Sequence, residues 1–180
     1  MRARVVGGYL VTSDGRISHF MEKELYVGTN WINRLSLPGV EEELVDRLEH
    51  ARIAVNTPII ITSGVRSKAA NVECGGASNS LHLTGGGADG KSRGIDPWGW
   101  VEPLNDVTFK GTIGRFGIYH RELRAGGGFH LDIDTVSPLR RFVKVPILGI
   151  ISLDEWVQQH FPGIDIEDVP AAKANALLGF

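Results

Sequence analysis

Three glycine clusters, Gly75-Gly76, Gly85-Gly86-Gly87 and Gly126-Gly127-Gly128, interrupt the middle third of the chain. Glycine weakens helix and strand interiors and supplies bends and places of close backbone approach. No long helix crosses this region, which must be assembled from short segments that converge on one functional area. No period of 20 to 50 residues recurs, so solenoids and propellers are excluded. At 180 residues the chain has the length of one domain with its own core. With 42% hydrophobic and 22% charged residues it is neither disordered, collagenous nor a coiled coil.

After Pro38-Gly39, Val40, Leu44, Leu48, Ala51 and Val55 fall near helical spacing with acids massed in the first turn, which predicts an amphipathic helix on the core. Ile59-Ile60-Ile61-Thr62 reads as a buried strand ended by Ser63-Gly64. A second strand runs from Gly128 to Ile133, and alternation places His130 and Asp132 together on the face opposite Phe129, Leu131 and Ile133. Thr112-Ile113 and Phe116–Tyr119 supply one or two more. Strands and helices do not alternate as βαβ units, so the expected class is α+β, a small, mostly antiparallel sheet flanked by helices. Ser152 and Glu155 form a capping box before Trp156, Val157 and Phe161, and Pro170 precedes a short terminal helix. The expected organisation is a main domain over 1–150 and a helical tail over 151–180, packed on that domain or on a partner.

Lys plus Arg number 19 against 21 Asp plus Glu, a net charge of −2, so the chain lacks the basic footprint of a nucleic-acid binder. No stretch approaches eighteen apolar residues and the N-terminus offers no apolar signal region, which predicts synthesis in the cytoplasm without a signal peptide and no membrane insertion. Cys74 is the only cysteine, which excludes an intrachain disulfide and a multi-cysteine zinc site. A metal would need histidine and carboxylate.

Such residues stand in three places: Ser63-Gly64-Val65-Arg66-Ser67 after the first strand, Ser80-Leu81-His82-Leu83-Thr84-Gly85-Gly86-Gly87-Ala88-Asp89 through the glycine loop, and Phe129-His130-Leu131-Asp132 on the late strand. In order and spacing they resemble the patterns S-G-Y-R-S, S-x-H-x-x-G-x-A-x-D and F-[VI]-H-x-D of the M15 zinc peptidases. These are D-alanyl-D-alanine carboxypeptidases and L-alanyl-D-glutamate endopeptidases that cut bacterial cell-wall peptides. The resemblance covers residues 20 to 135, with His19-Phe20 where the family often opens on Phe, and leaves out the tail.

The resemblance implies a Hedgehog/DD-peptidase-like fold and one Zn2+ per chain held by His82, Asp89 and His130. It further implies that Arg66 holds a substrate carboxylate and that Ser80 orients His82 or bound peptide. Two imidazoles and a carboxylate suit zinc, and three protein ligands leave the open position that a hydrolytic site needs. The implied activity is hydrolysis of peptidoglycan stem peptides or cross-links, of D,D-carboxypeptidase or endopeptidase type. Phage lysis or cell penetration is the expected setting, with action on the wall after release and phage or virion proteins as partners for the C-terminal helices.

Two points stay open at this level. Asp96, in Arg93-Gly94-Ile95-Asp96, competes with Asp89 as the carboxylate ligand, although it would require a seven-residue insertion in the ligand loop. Many family members carry an acid three residues before the last histidine, where this chain has Gly127. Asp132, on His130's strand face, is the first candidate to activate water or else to orient a ligand, with Glu122 and His120 behind it. The missing acid leaves a second expectation, a catalytically weak wall-binding or virion component that retains the zinc site.

Overall fold

The computed structural model describes residues 1–109, 114–123, 127–134, 141–146 and 148–179. The strand expected at Thr112-Ile113 lies outside them. Strands β1 (Val5–Val6), β2 (Tyr9–Val11) and β3 (Ile17–Met21) form an N-terminal antiparallel sheet. Alternation along β3 buries Ser18 and Phe20 and exposes Ile17 and His19. After the short α1 (Thr29–Ile32), α2 (Glu42–Val55) buries Leu44, Val45, Leu48 and Ala51, matching the expected stripe. It ends at Asn56, whose left-handed φ of 47° breaks the helix.

The remaining elements are β4 (Ile60–Ser63), α3 (Lys68–Glu73), β5 (Gly87–Lys91), α4 (Val101–Phe109), β6 (Arg115–Tyr119), β7 (Gly128–Asp132), β8 (Arg141–Val145), β9 (Gly149–Ser152), α5 (Leu153–His160) and α6 (Ala171–Leu177). Six of the strands form one sheet in the order β4-β5-β7-β6-β8-β9, antiparallel throughout except for the parallel pair β6-β8. The class is α+β as expected, but this mixed sheet is larger than the small one expected. The main omission was β5. Its sequence Gly-Ala-Asp-Gly-Lys has poor strand propensity, and pairing with β4 and β7 on both sides holds it extended.

Register gives the sheet two faces of opposite character. Asp89 pairs with His130 and His130 with Gly117, while Arg115 pairs with Asp132 and Tyr119 with Gly128, so these side chains share one face. Ala88, Leu131, Phe116, Ile118 and Phe129 point the other way into the core with α2 and Trp100. Gly90 and Gly117 are small because of close approach: a Cβ would meet the Phe129 ring at 2.7 Å and the Phe142 ring at 2.1 Å, respectively. The same core takes in Leu153, Trp156, Val157, Phe161, Val169, Ala174 and Leu178 of the tail, and Trp98 N–H donates to Asn175 Oδ1 at 3.0 Å. Among the described residues no helix is long and apolar enough to cross a membrane.

Candidate metal centre

The Ser63–Ser67 turn begins where Leu25 crosses the backbone. A Cβ on Gly64 would lie 2.2 Å from the Leu25 carbonyl oxygen, so only glycine fits there. This close passage aims the Gly64 carbonyl at His82, whose Nδ1–H donates to it at 2.7 Å. His82 rides a 3-10 turn, Leu81–Leu83, capped by Ser80, whose hydroxyl accepts from His82 N–H at 3.4 Å. Ser80 thus orients the turn that carries His82. The bond from Nδ1 fixes the tautomer and leaves the Nε2 lone pair facing Asp89 Oδ2 at 3.5 Å. Burial pushes the His82 pKa down, which keeps the ring neutral.

On the sheet, Asp89 Oδ1 lies 2.9 Å from His130 Nδ1, and the other nitrogen of that ring lies 2.8 Å from Asp132 Oδ2. Exposure of His82, Asp89 and His130 is 3%, 1% and 7%. Burial opposes charge on Asp89, yet the histidine hydrogen bonds outweigh it and hold the carboxyl well below the usual range. His82, Asp89 and His130 each present a ligand atom within 4.8 Å of the others. Zinc bonds of about 2.0–2.1 Å arranged tetrahedrally separate their ligand atoms by about 3.4 Å, so the donor set fits the ion in both chemistry and spacing. No insertion is needed: Asp89 joins the histidines, whereas Asp96 accepts from Gly99 N–H and lines a separate cavity of about 550 Å³ with Glu102 and Asp106.

Burial also disfavours charge on His130, but hydrogen bonds to Asp132 and Asp89 override it and raise the pKa from 6.5 to about 9. Because folding raises this pKa, the contribution to stability is full below about 6.5 and disappears as pH rises through about 9. Urea unfolding of the metal-free protein should therefore show a falling midpoint between pH 6.5 and 9. A flat or rising midpoint in His130-intact protein, relative to His130→Gln, would remove this account.

Asp132 sits behind His130, away from Asp89. It is fully buried, and Oδ2 also accepts from Arg115 Nε at 2.5 Å while Oδ1 accepts from Asp134 N–H at 3.0 Å. This placement favours the orienting role over the water-activating one, because both oxygens are engaged on the far side of the ring. Glu122 is exposed on a 3-10 turn, and His120 lies against Gly179 of the C-terminus. Neither belongs to the cluster.

Arg66 reaches the cluster. Nη2 donates to Asp89 Oδ2 at 2.9 Å and lies 3.4 Å from His82 Nε2, while Nε donates to Ser63 Oγ at 2.7 Å and Nη1 approaches Cys74 Sγ at 3.2 Å. A cleft of about 500 Å³ opens here, lined by Asn30, Ser63, Arg66, Tyr119, Leu123 and Lys144 among others. Ser80 does not line it. Sequence reasoning missed Tyr119, whose hydroxyl donates to Asp89 Oδ1 at 3.0 Å. The available signal was its strand parity with Gly117 and Arg115. A family model described as Peptidase M15 matches residues 18–123, more than half of the chain. Searches of curated proteins and of solved structures each found no match.

Proposed function

The chain belongs to the peptidase M15 family, and on that basis we propose that it is a zinc peptidase that hydrolyses peptidoglycan stem peptides or cross-links. The observation that carries this reading is the convergence of His82, Asp89 and His130 beside a cleft into which Arg66 projects. When bound, zinc supplies Lewis acidity that polarises a carbonyl and makes water a nucleophile at neutral pH. The chain supplies the rest. Gly64 fixes the His82 tautomer, and Asp132 holds His130 by Nε2, leaving Nδ1 toward the cluster.

Arg66 would anchor a carboxylate of the peptide. Its Nε and Nη1 are held by Ser63 and Cys74, and Nη2 is the arm that exchanges Asp89 for substrate. The planar guanidinium suits that task because two of its nitrogens are held while the third reaches the carboxylate, a division that a single lysine ammonium cannot reproduce. Arg66→Lys should retain one zinc while kcat/KM falls about ten- to a hundredfold, the range set by a charged hydrogen bond of about 1.5–3 kcal/mol. Unchanged hydrolysis would dismiss the anchor. Digestion of purified peptidoglycan, with identification of the new amino and carboxyl termini, tests the activity and separates carboxypeptidase from endopeptidase action. The engagement of Asp132 and the glycine at 127 favour one second reading, a wall-binding protein of low turnover. Saturable wall binding without new termini would select it.

A further inference from the structure

We infer that Tyr119 is a positioning residue for the metal centre, its hydroxyl holding Asp89 by Oδ1 so that Oδ2 is turned toward His82. The inference rests on the zinc-peptidase reading but concerns a residue that this reading did not use. Tyr119 ends β6, while Asp89 lies on β5 with β7 between them. Strands two apart are separated by about 9.5 Å, a span that only a long, rigid side chain crosses with its polar end fixed. Gly128, the β7 residue opposite Tyr119, puts no side chain in the way. The phenol is 93% buried and its O–H lies 3.0 Å from Asp89 Oδ1, a well-formed hydrogen bond.

The chemistry of the neighbours gives this bond its importance. Asp89 Oδ1 also faces His130 Nδ1 at 2.9 Å, and Oδ2 faces Arg66 Nη2 at 2.9 Å. His130 has Nε2 committed to Asp132, so to act as a ligand it must turn the lone pair of Nδ1 to the ion and stop donating to Asp89. Arg66, a cation beside the same oxygen, must yield to a second cation. Tyr119 is the neutral donor whose bond to Asp89 metal binding does not require to be broken. It fixes the carboxylate's rotation and occupies a lone pair on Oδ1, which favours binding through one oxygen. Its ring is held in turn under the Lys144 ammonium, 5.9 Å from the centroid.

The test is Tyr119→Phe in the full chain, which removes one oxygen and keeps the ring. Zinc affinity is read by competition with a chelator of known affinity, and the visible spectrum of the Co2+-loaded protein serves as a second readout. The zinc dissociation constant should rise about ten- to a hundredfold, as loss of a partner that orients a ligand typically does. The Co2+ bands should weaken as Asp89 becomes free to bind through both oxygens, while the far-ultraviolet circular dichroism of the metal-free protein stays unchanged. A constant raised less than threefold overturns the inference, including the case in which KM alone rises and Tyr119 proves to be a substrate contact. If the unaltered protein takes up no zinc, the metal-site reading fails along with it. If that protein binds one equivalent and Tyr119→Phe equals it, only this inference fails.

Discussion

Replacing His82 and His130 together by alanine should take bound zinc from about one equivalent per chain to near zero and abolish hydrolysis. Two of the three converging ligand atoms disappear, and Asp89, paired with Arg66 and Tyr119, is left as a lone carboxylate with a cation already beside it. The fold should survive at reduced stability, because the variant loses the buried pairing of His130 with Asp89 and Asp132 but leaves intact the apolar face that packs on α2 and Trp100. Metal analysis after dialysis, with circular dichroism on the same samples, gives the result. Near-complete zinc retention would show that the ion lies elsewhere. The single variants Asp89→Ala and Asp96→Ala complete the assignment: the first should release zinc, and the second should leave it bound, since Asp96 caps a turn beside another cavity.

Asp132→Asn should produce the second large effect, and on metal binding rather than on chemistry alone. The carboxylate is fully buried between His130 and Arg115, at 2.8 and 2.5 Å. An amide lacks the charge and cannot accept from all three donors, because His130 and Arg115 share Oδ2 while Asp134 N–H donates to Oδ1, so its NH2 end meets an N–H whichever way it is turned. Zinc affinity should fall about ten- to a hundredfold through loss of the partner that orients His130. Unfolding free energy should drop by about 3 kcal/mol, the low end for breaking a buried ion pair. If Asp132 instead activated water, activity would fall by about a hundredfold with zinc affinity and stability intact. Measuring all three quantities on one preparation decides between the roles.

Much of the site was legible in the chain. The interval between His82 and Asp89, matched to the M15 pattern, favoured both over Asp96, and strand parity put His130 and Asp132 on one face; the structure brings His82, Asp89 and His130 together. Helix α2, strand β7 and the Ser152 cap on α5 also follow their local patterns, while β4 forms near the expected place but as an edge strand with Ile60 exposed rather than as a buried one. Strands β1–β3, β8 and β9 were not anticipated, and at the site itself the two failures of reach were β5 and Tyr119. The first is a glycine-rich strand without an apolar signature, and the second is an aromatic residue whose role depends on a strand two places away.

The sequence therefore named the candidate ligands, because the order and spacing of His82, Asp89 and His130 that resemble the M15 patterns are a property of the chain itself. Tertiary structure decided what surrounds each ligand. The sheet order β5-β7-β6 brings Tyr119 to Asp89, and the pairing of β4 with β5 sets Arg66 against the cluster. Such partners are separated by 23 and 30 residues in sequence. Hydrogen bonds between side chains on different strands depend on register and strand order, which arise when the apolar face is buried as a whole and leave no periodic trace in any one segment.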